Sequence, residues 1–222
     1  AYGSLTGFLP KAVLPRTPTM NTLDFSANRG NHVVISPGTD TLYNGHVHTL
    51  RIPGTQTIYA IWTLGHGGTV HFLKRSLDNG ITWSDNLPTP SNWSRTYNCP
   101  TLHWLTAPDG TSRLFVFAGA RSMFQSYSED GGYTWTPMQA NGLTCIVAPM
   151  SVLRVNSGKH VMWYHRGFND TDTTPLTLWQ AESTDGGLTW QSQRKLLEMV
   201  GADLCEPAVI RSPDGRRLLM FI

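Results

Sequence analysis

Charge is scarce in this sequence. Asp, Glu, Lys and Arg make up 14% of its 222 residues, the formal net charge is +2, and no Lys/Arg run exceeds two residues. So mild and even a balance carries no electrostatic footprint for a phosphate backbone, and nucleic acid is not an expected partner. Long apolar runs are missing too. Nothing approaches the roughly 18 consecutive residues of a membrane span. The only cysteines are Cys99, Cys145 and Cys205. An odd number cannot pair completely, and their spacing is too wide for a zinc knuckle, so no disulfide framework, metal or cofactor is expected. Each begins an apolar run and reads as a buried free thiol. Helical periodicity is nearly absent, with Gln193 to Val200 the one short candidate. What remains is a chain 40% hydrophobic, rich in strand and turn residues and able to fold.

An eight-residue pattern, S-x-D-x-G-x-T-W, occurs three times. It reads Ser76-Leu77-Asp78-Asn79-Gly80-Ile81-Thr82-Trp83, then Ser128 to Trp135, then Ser183 to Trp190, with the serines 52 and 55 residues apart. A period of about 50 residues is the length of one four-stranded propeller blade. The Asp carboxylate suits an Asx-type turn, accepting main-chain N–H groups two residues on. The Gly supplies a backbone conformation that a Cβ penalises. Thr and Trp then return to a strand, with the indole expected to be largely buried between sheets. Asp78, Asp130 and Asp185 are therefore read as structural, not catalytic.

The octapeptide resembles the Asp-box of the sialidase (neuraminidase) superfamily, which caps the turn between the third and fourth strands of each blade, opposite the active site. The resemblance implies an all-β propeller of four-stranded antiparallel blades, six in the full fold. Repeat alignment gives one domain over 1–222, with units at about 43–98, 99–144, 145–204 and 205–222. Each unit opens with strand, Gly-containing turn and strand, such as Thr101 to Thr106, Pro108-Asp109-Gly110 and Arg113 to Ala118. About three and a half blades are thus expected, as though the chain were truncated in mid-hairpin. Open blade edges would then favour self-association. No charged-then-apolar leader opens the chain at Ala1-Tyr2-Gly3-Ser4, so any targeting peptide is expected to be absent or removed, with an extracellular or periplasmic location favoured. Two sequons, Asn92-Trp93-Ser94 and Asn169-Asp170-Thr171, add little.

Blade topology sorts side chains between two faces. The face opposite the octapeptides collects the loops between second and third strands and the start of each first strand. Candidates there are His46, His48, His66, Arg121, Arg166, Asp170, Asp172 and Glu206, and propeller sites lie at such a mouth. His46 and His48 alternate on one strand and so share a face; they suit a site or a structural role equally. Arg121 and Arg166 either hold a ligand anion or pair with neighbouring carboxylates. Asp170 and Asp172 sit in a polar run that also reads as solvated loop. Glu206, before Pro207, is the strongest single candidate. Grouping His46, His66, Arg166 and Glu206 in one central depression follows from topology.

Leu204-Cys205-Glu206-Pro207 and the strand after it are similar to the sialidase segment whose glutamate activates a nucleophilic tyrosine. The family's first carboxylate-binding arginine is absent: Arg51-Ile52-Pro53 has its spelling but lies at a strand end, and by spacing His46 takes its place. The loop Gly65-His66-Gly67-Gly68-Thr69-Val70 lacks the family's acid aspartate. Two readings follow. One is a glycoside hydrolase acting on possibly acidic glycans, with His46 or His66 in proton transfer, Glu206 orienting or activating a nucleophile, and Arg121, Arg166, His48, Asp170 and Asp172 binding substrate. The other is a non-catalytic glycan- or protein-binding propeller, with Trp62, Trp93, Trp104, Trp163 or Trp179 stacking on sugars.

Overall fold

The computed structural model describes residues 26, 28–156, 158–167 and 175–222. The chain divides into two compact units, Ala1–His32 and Val33–Ile222. The described part of the first holds a 3-10 turn at Arg29–Asn31.

Among the described residues the second unit carries 13 strands in four antiparallel sheets. The first sheet is β1 (Asn44–Arg51), β2 (Ile58–Leu64) and β3 (Val70–Ser76). The next is β4 (Thr101–Thr106), β5 (Ser112–Ala118), β6 (Arg121–Ser128) and β7 (Gln139–Cys145). A third is β8 (Ser151–Asn156), β9 (Lys159–Arg166), β10 (Thr177–Ser183) and β11 (Gln191–Leu197). Last comes the hairpin β12 (Ala208–Arg211) with β13 (Leu218–Phe221). Strands adjacent in sequence are adjacent in every sheet. This is a meander, which short Asp-Gly turns favour; at one of them Asp109 Oδ1 accepts the Thr111 N–H at 2.8 Å.

Second strands are nearly continuous apolar runs because both of their faces are covered. Ile61 and Tyr59 of β2, Phe115 and Phe117 of β5, and Met162 and Tyr164 of β9 are all fully buried. Three apolar clusters join the sheets in chain order: first to second through Leu73, Leu102 and Val116, second to third through Phe117, Met162 and Trp190, third to fourth through Trp163 and Val209.

The first sheet departs from the four-stranded pattern. Ser84 and Leu87 donate main-chain bonds to Arg75 and Leu73 along β3, but Pro88 and Pro90 cannot donate and the ladder stops. A 3-10 turn, Ser91–Arg95, follows and buries Trp93. Asn92 then substitutes for a strand, donating to Met138 O at 2.9 Å and accepting the Met138 N–H at 3.1 Å.

The three octapeptides build one network. Ser76 Oγ donates to Asp78 Oδ1 at 2.7 Å and accepts the Gly80 N–H at 2.8 Å, while Asp78 accepts the Thr82 N–H at 2.9 Å and the Thr82 hydroxyl at 2.6 Å. The same bonds recur from Ser128 to Thr134 and from Ser183 to Thr189. The main-chain donor lies four residues beyond the Asp, not the two expected of an Asx turn, because the serine takes the nearer role. The second and third turns also grip the preceding sheet: Tyr59 of β2 donates to Gly131 O at 2.7 Å, the Arg75 guanidinium lies 4.1 Å from the Tyr133 ring centre, and Gln125 of β6 donates to Leu188 O at 2.9 Å.

Burial of the three indoles is uneven. Trp190 is buried, whereas Trp83 and Trp135 are only half-buried. Trp190 reaches across to Gln125 Oε1 at 3.1 Å; the other two bond back to carbonyls of their own turns, Gly80 and Gly132. The helical candidate at Gln193 to Val200 is strand β11 over most of its length. Its register shifts against β10 displace the side-chain alternation and imitate a longer period. Cys99 and Cys145 are buried, but Cys205 is exposed.

Candidate functional site

The first strands of successive sheets lie side by side, too splayed to share a ladder, and side chains make the ties instead. His48 Nδ1 of β1 accepts the Leu102 N–H of β4 at 3.2 Å. The Thr101 hydroxyl of β4 donates to Pro149 O at 3.0 Å, before β8. Ser151 Oγ of β8 accepts the Val209 N–H of β12 at 2.8 Å. His48 is thus held as an acceptor, and burial lowers its pKa, so it serves as a neutral strap between sheets.

Where these strands begin, a cavity of about 180 Å³ opens, lined by His46, His48, Cys99, Thr101, Met150 and Glu206 among others. Its rim is strained. His46 (φ 52°), Asn98 (72°), Cys99 (30°) and Glu206 (50°) all have left-handed backbone, a conformation that costs on the order of 1–3 kcal/mol per non-glycine residue and gathers at functional sites. At His46 the strain accompanies a bulge between Gly45 and His48, which turns the imidazole toward the loop after β2. Gly45 permits the approach, since a Cβ there would stand 2.5 Å from Gly65 O.

His46 Nε2 meets His66 Nδ1 at 3.1 Å, with ring centroids 4.7 Å apart. One hydrogen fits between those nitrogens, so in this geometry the pair takes up at most one extra proton. Burial, then the neighbouring His66, lowers the His46 pKa, with the Glu206 charge partly opposing. The other ring nitrogen, His46 Nδ1, lies 2.7 Å from Cys99 Sγ. Burial first and the Glu206 charge second push the Cys99 thiol up to about 12, so at neutral pH it is a protonated thiol and a poor nucleophile. Glu206 enters from the fourth sheet, its backbone N–H donating to His165 Nδ1 at 3.0 Å. His165 is buried, and burial lowers its pKa; neutral, it pins the left-handed turn that presents the carboxylate.

The structure therefore brings His46, His66, His48 and Glu206 together. Arg166 is not with them, a correction to the topological grouping. It lines a separate narrow cleft with Arg121, Thr144, Cys145 and Ile146, because its guanidinium stacks on Trp179 of its own sheet, 4.0 Å from the ring centre. Asp170 and Asp172, and the second sequon at Asn169, lie outside the described residues. Trp62, Trp93 and Trp163 are buried and offer sugars no face. Among the described residues no group of three or more His, Cys, Asp or Glu is placed to hold a metal ion; Cys99 and His66 address opposite nitrogens of the His46 ring and do not converge.

Cys99 and Asn98 are the members that sequence reasoning missed. A signal existed: Cys99-Pro100 and Glu206-Pro207 stand immediately before the first strands β4 and β12.

Meandering antiparallel sheets packed in series define a β-propeller fold, and the cavity lies where their first strands begin. The chain belongs to the BNR repeat-like domain family, which matches residues 21–221. Among solved structures it is similar to the α-L-arabinofuranosidase of Fusarium graminearum in complex with arabinobiose, at 19% identity and a TM-score of 0.56, covering 76% of this chain and 53% of that one. It is also similar to a protein of unknown function from Dyadobacter fermentans, at 19% identity and a TM-score of 0.51, covering 78% and 55%. At such identities the likeness speaks for the fold. The chain spans about half the length of either structure. No curated protein matches it in sequence. Among the described residues no helix is long and apolar enough to cross a membrane.

Proposed function

We propose that this protein is a carbohydrate-active propeller, a glycoside hydrolase with a site altered from the sialidase pattern, and that its axial cavity takes a glycan. The observation that carries the reading is the meeting of the Glu206 carboxylate with the His46–His66 pair in and beside one cavity. Glycoside cleavage needs one group to protonate the leaving oxygen and another to activate the attacking nucleophile. Glu206 and His66 supply two such groups, and imidazole suits proton transfer near neutral pH. The guanidinium groups of Arg121 and Arg166, which border the narrow neighbouring cleft, suit an acidic substituent further along the glycan that meets them at its mouth.

Standard sialosides should be poor substrates. An imidazole offers no permanent bidentate clamp for the sugar carboxylate, and losing one such charged partner costs on the order of 2–5 kcal/mol, roughly 30- to 5,000-fold in binding or rate. Arabinan-type oligosaccharides belong first in a panel of neutral and acidic glycans, because one protein sharing the fold is an arabinofuranosidase. A second reading, glycan or protein binding without catalysis, draws support from Glu206 being the one carboxylate among the described residues of the cavity lining. The test is reducing-end release and calorimetric binding across the panel, with Glu206→Gln beside the wild type. Release lost in Glu206→Gln supports the hydrolase; binding without release selects the second reading. Ordinary turnover of a sialoside, or neither binding nor release of any glycan, overturns the proposal.

A further inference from the structure

Every atom in the path from the chain interior to His66 has a hydrogen-bond role that follows from its neighbour, starting at a main-chain carbonyl. Ile146 O can only accept, and Asn98 Nδ2 donates to it at 2.9 Å. That contact orients the amide and turns Asn98 Oδ1 toward Cys99. The oxygen can only accept, so the thiol 3.1 Å away donates its hydrogen to it. With its hydrogen committed, Cys99 Sγ presents lone pairs to His46 Nδ1 at 2.7 Å, and that nitrogen must carry a hydrogen. A neutral His46 then has a bare Nε2, which accepts from His66 Nδ1–H at 3.1 Å. A neutral His66 is left with a bare Nε2 on an exposed ring.

We propose that Asn98 and Cys99 are positioning residues that fix His46 and His66 in the Nδ1–H tautomer, making His66 Nε2 the proton-accepting atom of the site. The role of His66 as a base in glycan chemistry rests on the reading above; the polarity of the chain does not. A proton arriving at His66 Nε2 leaves every bond of the chain in place, so the cation is as well satisfied as the neutral form. Reversing the polarity would strand Asn98 Oδ1 without its donor. Of the groups facing the pair, Glu206 carries a charge, and it favours the cation. His48, further along β1, has its Nδ1 occupied by the Leu102 N–H, and His165 is engaged with the Glu206 backbone. Neither competes. The thiol matches the task in that it both donates and accepts, and its high pKa keeps its hydrogen in place.

Ring nitrogen NMR on the histidine-labelled 222-residue chain tests this with no glycan present. At pH values above their titration, His46 and His66 should both show Nδ1–H shifts in the wild type, against the Nε2–H preference of free imidazole. Cys99→Ala should return His46 toward Nε2–H. Because its Nδ1–H would lose its acceptor, proton uptake by the pair should fall by about one pH unit. Cys99→Ser, which keeps both donor and acceptor, should restore the wild-type pattern. Nε2–H on His46 in the wild type overturns the proposal outright, and that measurement depends on no variant folding. Unchanged shifts in Cys99→Ala overturn it as well. Correct tautomers with no glycan turnover would leave the chain standing and remove the hydrolase reading alone.

Discussion

Gly131 and Gly186 hold the same place in two copies of the octapeptide, and substituting each by alanine separates two costs that normally arrive together. Their backbones match, with φ +77° and +75°, so each alanine should incur the left-handed penalty of about 1–2 kcal/mol. Their surroundings do not match. A Cβ on Gly131 meets nothing within 4 Å, while one on Gly186 would stand 2.7 Å from Ala107 Cα and 2.8 Å from Ala107 N. Ala107 is the buried first residue of the turn after β4, so the third octapeptide must retreat from the second sheet or push that turn aside. Forcing an atom into such a contact costs about 1–3 kcal/mol more. The first copy shows that the open position tolerates a side chain, since Asn79 stands there at φ 58°. Gly131→Ala should therefore cost about 1–2 kcal/mol and Gly186→Ala roughly 2–5 kcal/mol. Urea unfolding followed by tryptophan fluorescence resolves the gap. At an m value of about 2 kcal/mol/M the two midpoints should differ by roughly 0.5–1.5 M. Costs equal to within about 0.5 kcal/mol would show that the octapeptide does not lock sheet to sheet, and would refute the packing argument.

Acid should loosen the octapeptides in a definite window. The Thr82 hydroxyl bond, followed by the Thr82 N–H and the Ser76 hydroxyl, holds the Asp78 carboxyl at about 2, below its unfolded value near 3.9. A depressed folded pKa contributes stability that is present above about pH 4 and lost as pH falls toward 2. At Asp130 and Asp185 burial works the other way, but bonds from Thr134 and Thr189 outweigh it and both stay low. Thr134→Val should therefore flatten the fall in Tm between pH 5 and 2 measured by circular dichroism; an unaltered slope would place the acid sensitivity elsewhere. Strand β13 ends its sheet with Leu218, Leu219, Met220 and Phe221 each 37–59% exposed. Such an unpaired apolar edge invites pairing, so the 222-residue chain should self-associate in light scattering and Leu219→Lys should lower its mass. A monomeric wild type would refute that.

Much of the architecture was legible because turn chemistry is local. The Ser76, Asp78 and Thr82 side chains and the Gly80 N–H bond to one another within seven residues, so the octapeptide carries its own turn wherever it occurs. The hairpin at Pro108-Asp109-Gly110 and the apolar runs of β2, β5 and β9 are local in the same sense. The break in the first sheet is also written in the letters, at Pro88 and Pro90, which have no N–H to extend a ladder. Gln193 misled because a register shift is a property of two strands and leaves no mark on one.

The sequence by itself determined the repeat, the order of the strands and the face on which polar side chains gather, since each depends on contacts between near neighbours or on the alternation of a strand. Only the tertiary structure decided which of those side chains meet. His46 reaches His66 because a bulge and the absence of a Cβ at Gly45 let two segments touch. Arg166 turns away because Trp179 stands beside it on the next strand. Cys99, an ordinary buried thiol in the sequence, becomes part of the site through His46, 53 residues away. Those outcomes depend on how sheets splay about an axis, and residues far apart in the chain set that together.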